Sequence, residues 1–139
     1  MQHAKVDDPF AFQLLRSVPG IGKVLALVLL YEIHRIERFA SAGDFLSYAR
    51  LVAARGSSAG KLKGVMGRKI GNAHLKWAFS EATCMLIRQS PEAKRFVARQ
   101  QKKHGKAKAL AILAVRLGRA VYLILKRKQP FDVQRFFAC

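Results

Sequence analysis

The chain has 139 residues, of which 26 are Lys or Arg and 8 are Asp or Glu, so its formal net charge is +18 at neutral pH. Apolar residues make up 51% of the chain, which is enough to bury a core and excludes a disordered basic tail. The length predicts one domain over residues 1–139. Because such one-sided charge is self-repelling, we expect a polyanionic partner: DNA, RNA or an anionic membrane.

The pattern of apolar residues predicts an all-α fold. Residues 10–17 have a helical pattern that ends at a Pro-Gly pair, and residues 23–35 form a second apolar helix. Together they predict a helix-hairpin-helix over residues 10–35. A third helix opens at Ser41, which forms a capping box with Asp44.

The second half of the chain predicts a loop and then three longer helices. Residues 53–69 interleave four glycines with two serines and five basic residues, which is typical of a loop. The helical part covers residues 71–127, with breaks at Ser90, an N-cap before a proline, and at Gly105. The last helix carries one apolar stripe, made of Leu110, Leu113, Leu117, Val121 and Ile124. Pro130 should end helical structure and leave an aromatic tail that packs back.

The apolar runs do not fit a membrane protein. The run over residues 24–31 is bounded by Lys23 and Glu32, whereas a membrane span needs roughly 20 apolar residues. The run over residues 107–125 contains two arginines. The first residues also lack the apolar stretch of a signal peptide. We therefore expect a cytoplasmic protein with no membrane partner.

The turn between the first two helices, Pro-Gly-Ile-Gly followed by Lys, is suited to phosphate binding. Gly20 and Gly22 let the backbone approach a phosphate closely, and Lys23 adds positive charge. The first amides of the following helix point at such a ligand. A contact of this kind reads no base sequence. The alternative is an ordinary packing corner between two helices.

Acidic residues are absent from two windows, residues 45–80 and 93–131. The first window contains the loop. The second contains a run of basic residues: Lys94, Arg95, Arg99, Lys102, Lys103, Lys106 and Lys108. Solvated helix surfaces usually mix charges to form pairs four residues apart. We interpret both windows as phosphate-contacting surfaces, with a merely soluble basic surface as the alternative.

Residues 56–82, GSSAGKLKGVMGRKIGNAHLKWAFSEA, resemble the C-terminal domain of the IS110/IS902 family of insertion-sequence transposases, the bridge-RNA-guided serine recombinases. The resemblance continues through LLRSVPGIG, GDFLSYARLV, KKHGKAKAL and PFD and covers nearly the whole chain. It implies a two-part enzyme. An N-terminal resolvase-like domain binds magnesium through four acids, and a C-terminal domain carries a serine that attacks a DNA phosphodiester and forms a phosphoserine link. The implied partners are DNA, a guide RNA, and a second copy or a separate metal-binding domain.

The resemblance places the nucleophile at Ser58, with Ser57 as the rival if the loop is shifted by one residue. A serine hydroxyl is a weak nucleophile that needs a base, a metal or strong electrostatic help. Several cations could orient the phosphate and stabilise its transition state: Lys61, Lys63, Arg68, Lys69 and Lys76. His74 could serve as a base. The eight acids are scattered singly, so we expect no metal site in this chain and magnesium only with the N-terminal domain.

The metal-binding domain that the resemblance implies does not precede residue 14 in this sequence. We therefore expect a split or truncated transposase that is inactive alone. The alternative is a non-catalytic helix-hairpin-helix module that binds DNA without chemistry. An RNA-binding protein of ribosomal type fits less well, because the basic windows offer few aromatic side chains for base stacking and Trp77 lies on a largely apolar helix.

Overall fold

A computed structural model describes residues 8–52 and 71–137, and those residues form helices and connecting turns with no strand. The described residues contain seven α-helices: α1 Pro9–Arg16, α2 Lys23–Ile33, α3 Ala42–Tyr48, α4 Ala73–Gln89, α5 Pro91–His104, α6 Lys106–Arg127 and α7 Val133–Phe137. A 3₁₀ turn, Ile36–Arg38, joins α2 to α3. The predicted all-α fold is confirmed. The predicted loop over residues 53–69 lies outside the described residues, as do Ser57, Ser58, Lys61, Lys63, Arg68 and Lys69.

Side-chain caps fix where four of the helices begin. The side chains of Asp8, Ser41, Asn72 and Ser90 each accept a hydrogen bond from the backbone amide three residues ahead, over 2.9 to 3.2 Å. Each bond satisfies an amide that has no partner inside its helix. The predicted helix starts at Ser41 and Ser90 are therefore confirmed, and the predicted break at Gly105 separates α5 from α6.

Helix α6 is the central element of the core. It packs against α1, α3, α4, α5 and the 3₁₀ turn. Leu113, Leu117 and Val121 of its predicted stripe are fully buried. Leu110 is only partly buried, because Ala109, four residues before Leu113, takes the buried position at that turn.

Helices α2 and α4 pack against each other in opposite directions. Gly20, just before α2, lies against Leu86 in the last turn of α4. Glu32, near the end of α2, accepts a hydrogen bond from the side chain of Asn72 at the start of α4. The turn between α1 and α2 and the start of α4 therefore lie at opposite ends of this helix pair.

The prediction that Pro130 ends helical structure is wrong. Helix α6 already ends at Arg127, and α7 begins after the proline. The carboxylate of Asp132 accepts hydrogen bonds from the amides of Gln134 and Arg135, which starts the new helix.

The aromatic tail packs back on the protein, as expected. The ring of Phe137 lies 5.9 Å from that of Phe96 on α5. The guanidinium of Arg116 donates to the carbonyl of Phe136. The amide of Phe131 donates to the hydroxyl of Ser17 over 2.9 Å, which ties the tail to the end of α1.

Candidate nucleic-acid interface

The turn between α1 and α2 is anchored by two buried side chains. Val18 and Ile21 are 1% and 3% exposed, and the amide of Ile21 donates to the carbonyl of Val18 over 3.0 Å. These contacts hold the turn on the core. Gly22 and Lys23 follow directly and are exposed. The two helices and the turn lie where the sequence predicts them, and their use as a DNA-binding hairpin stays a prediction.

Gly20 is required by packing. Its φ is +99°, a conformation that side chains rarely adopt, and a Cβ there would lie 2.7 Å from the amide nitrogen of Leu86. Helix backbone cannot give way as a flexible side chain can. The missing side chain therefore lets the turn approach α4, and the predicted phosphate contact of Gly20 stays a prediction.

Gly22 has a different environment. It is the N-cap of α2, and a Cβ built on it meets no heavy atom of residues 8–52 or 71–137 within 4 Å. Among the residues that the structure describes, no side chain caps α2, and the first turn of α2 has no acidic residue. The first amides of α2 therefore face an open surface with Lys23 beside them, which is the arrangement that binds anions at helix starts.

The two glycines should respond differently to the same substitution. Gly20→Ala should lower the free energy of unfolding by about 2 kcal/mol or more, because it adds backbone strain and a steric clash. Gly22→Ala should cost less than about 1 kcal/mol, since only N-cap preference changes. Chemical denaturation of both variants measures this difference. Equal losses would contradict the packing role of Gly20.

Lys76 lies at the other end of the α2–α4 pair. Its ammonium donates to the carbonyl of Arg50 over 3.2 Å, just after the end of α3. Lys23 and Glu32 are nine residues apart on α2, which corresponds to roughly 14 Å along the helix axis. The structure therefore does not bring Lys23 and Lys76 together. It places them at two separate points of the surface.

A polar cluster lies where the chain leaves α3 and where it enters α4. The amide of Asn72 donates to the carbonyl of Tyr48 over 2.7 Å, so the two flanks of residues 53–70 lie side by side. The side-chain amide of Asn72 donates to Glu32 over 2.8 Å and to the hydroxyl of Tyr48 over 3.3 Å. The guanidinium of Arg38 lies 4.9 Å from the centre of the Tyr48 ring. Sequence reasoning missed this cluster.

Two hydrogen bonds lower the pKa of Tyr48. The one from Asn72 has the largest effect and the one from Arg38 the next largest. We expect Tyr48 to ionise before an unperturbed tyrosine, and Tyr48→Phe should remove that first step from an ultraviolet absorbance titration. Asn72→Ser keeps an N-cap but loses the amide donor, so it should raise the pKa of Tyr48. If the pKa of Tyr48 is unchanged in Asn72→Ser, the hydrogen bond from Asn72 is not the cause of the shift.

The same shift affects stability at alkaline pH. Between the folded-state pKa of Tyr48 and about 10, the usual tyrosine value, the unfolded chain binds more protons than the folded chain. The free energy of unfolding should therefore gain a contribution that increases with pH through this window. That contribution should be absent below the window and absent in Tyr48→Phe.

Trp77 is more accessible than its largely apolar helix indicates. Its side chain is 51% exposed and follows Lys76 on the exposed side of α4. The expectation that few aromatic side chains are exposed in the basic windows therefore does not hold for Trp77, because residues 76, 77, 80, 81 and 84 lie on the outer face of α4. His74 is also exposed, in the first turn of that helix.

The acid-free stretch of α5 and α6 is open to solvent. All seven of its predicted contact residues are exposed: Lys94, Arg95, Arg99, Lys102, Lys103, Lys106 and Lys108.

Within residues 8–52 and 71–137, no three His, Cys, Asp or Glu side chains are grouped as metal ligands. In the same residues, no helix is both long and apolar enough to cross a membrane.

Residues 12–98, which are more than half of the chain, match the sequence model of a known protein family. That family is described as "Transposase IS116/IS110/IS902 family". The matched range contains the turn between α1 and α2, the flanks of residues 53–70 and the polar cluster around Asn72. No curated protein matches the chain.

Proposed function

The chain belongs to the IS116/IS110/IS902 transposase family, and from this membership we propose that it is a DNA-binding transposase C-terminal domain. In this proposal it contributes Ser58 as the nucleophile for strand cleavage and exchange when an insertion sequence transposes. The observation that supports the DNA contact best is the open, uncapped start of α2, with Gly22 and Lys23 exposed inside the matched range.

The start of α2 holds a backbone phosphate in this proposal. A phosphate oxygen accepts hydrogen bonds from the free amides of the first turn, and the ammonium of Lys23 neutralises its charge. Gly22 leaves room for the approach, because no described residue places an atom within 4 Å of its Cβ position. The contact fixes the position of the duplex without reading bases.

A second contact forms at the start of α4, where Lys76 and Trp77 are exposed. The two contacts are separated by roughly 14 Å along α2, or about four base-pair steps of 3.4 Å. Ser58 belongs to residues 53–70, and the residues that flank this segment on both sides lie beside this second contact. The cations of this segment, Lys61, Lys63, Arg68 and Lys69, are proposed to orient the phosphate that is attacked.

Ser58 needs an activating group that the described residues do not supply. A serine hydroxyl requires activation, and the described residues offer no cluster of carboxylates for magnesium. We therefore assign activation to an acidic metal-binding domain of the family. Guide-RNA binding and a homo-oligomer, which the resemblance implies, remain predictions.

A serine at position 22 tests the helix-start contact. In Gly22→Ser the new hydroxyl can cap the first-turn amides itself, so it competes with phosphate for the same donors. We expect unchanged or slightly higher thermal stability and about tenfold weaker binding of a labelled duplex. Fluorescence anisotropy measures affinity, and the emission of the single tryptophan reports contact at the start of α4.

Gly43→Ser is the matched control. It adds the same group in the first turn of α3, where Ser41 already caps the helix, and should leave affinity unchanged. The proposal of a phosphate at the start of α2 is wrong if Gly22→Ser binds duplex DNA as tightly as the parent chain. It is also wrong if the two serine variants weaken binding equally.

A further inference from the structure

A long groove runs along the side of α6 that faces away from the core. Its other wall is the tail that includes α7, and its volume is about 740 Å³. Five of its large apolar side chains are partly exposed, namely Ile112, Val115, Leu123, Phe131 and Phe136, and Ile124 is buried beneath them. The groove follows α6 from Lys108 to Arg127, which corresponds to roughly 28 Å, or about five helical turns.

The rim of the groove is cationic. Five basic side chains line it, namely Lys108, Arg116, Arg119, Arg127 and Arg135, against one acid, Asp132. The carboxylate of Asp132 already accepts bonds from the first amides of α7. Arg116 is held in place by the carbonyl of Phe136 and lies 5.0 Å from the centre of the Phe96 ring. The other four cations are exposed.

We propose that this groove binds an amphipathic α-helix of another protein, with an apolar stripe bordered by carboxylates. The apolar stripe would fill the floor, as in other recognition of helices by hydrophobic grooves. The flanking carboxylates would pair with the cationic rim, which sets the orientation and speeds association. The length of the groove fits a helix of about five turns.

Charge argues against a second copy of this chain as the occupant. The chain carries a net charge of +18, and residues 93–131 contain no acid. Helices α5 and α6 would therefore bring cations to a cationic rim, which is destabilising. An acidic helix from a different protein has the complementary charge.

The aromatic residues of the groove argue against nucleic acid. Stacking on bases needs an open ring face. The ring of Phe136 lies 5.1 Å from that of Phe131 and 4.6 Å from that of Phe137 in a T-shaped pair. The rest of the floor is aliphatic. The residues of the groove also lie beyond residues 12–98, the range that matches the transposase family, so this inference goes beyond the proposed function.

The test uses the full chain and a labelled 20-residue helical peptide with leucines along one face and glutamates beside them. Anisotropy should show saturable binding. Ala111→Glu, at an exposed position in the groove, and Arg119→Glu, on its rim, should each weaken binding at least about tenfold. Their matched controls, Ala98→Glu and Arg35→Glu, make the same changes at exposed positions outside the groove and should change affinity less than twofold.

Two altered peptides complete the design. Replacing the leucines by glutamine, or the glutamates by lysine, should abolish binding. The proposal is overturned if the acidic peptide does not bind, or if the control variants weaken it as much as the groove variants do. It is equally overturned if a single-stranded oligonucleotide displaces the peptide and loses affinity in Arg119→Glu, since the groove would then be a nucleic-acid site. Thermal melts that match the parent show that each variant is folded.

Discussion

Duplex DNA should bind this chain roughly three orders of magnitude more weakly at 200 mM salt than at 50 mM if about six phosphates are neutralised. Each neutralised phosphate releases condensed counterions, so affinity falls steeply as salt rises. The chain has enough exposed cations for this number of contacts. Seven lie in the acid-free stretch of α5 and α6, and Lys23 and Lys76 add two separate points.

Lys23→Glu tests this prediction at a single phosphate contact. It should weaken binding to the same degree on duplexes of unrelated sequence, and it should reduce the salt slope by about one. Titrations of several duplexes at four salt concentrations measure both effects. A flat salt dependence would overturn the electrostatic interpretation. A loss confined to one DNA sequence would show that the turn reads bases, which a backbone contact cannot do.

Local sequence signals were sufficient for most of the fold. Ser41, Ser90 and Gly105 mark helix boundaries through bonds that span only a few residues, so their types are informative without knowledge of the tertiary structure. The prediction from Pro130 was wrong because a proline does not prevent a new helix from starting after it. The start of α7 depends on Asp132, whose carboxylate caps the amides that follow it.

The candidate site was less predictable, because its geometry depends on residues far apart in the chain. Gly20 and Gly22 look equivalent in the sequence, but only Gly20 lies against the backbone of α4. The side chain of Asn72 meets Glu32, which is 40 residues away, and Tyr48, which is 24 residues away. No local pattern indicates such a contact. The groove beside α6 likewise needs the tail to fold back.

The assignment of Ser58 leads to the last prediction. Alone, the chain should bind DNA but neither cut nor join it, because an unactivated serine leaves the phosphodiester barrier nearly intact. When a metal-binding domain of the family is supplied in trans, we expect a covalent protein–DNA adduct. A gel shift that survives denaturation measures it.

Ser58→Ala should abolish that adduct and keep DNA affinity within a few-fold, because the hydroxyl contributes to the reaction far more than to binding. Ser57→Ala is the matched control, with the same atom removed from the adjacent residue, and should leave the adduct largely intact. If Ser57→Ala removes the adduct and Ser58→Ala does not, the nucleophile is the neighbouring serine. If neither change removes it, the nucleophile is neither Ser57 nor Ser58, and the non-catalytic helix-hairpin-helix module becomes the better description of this chain's part in transposition.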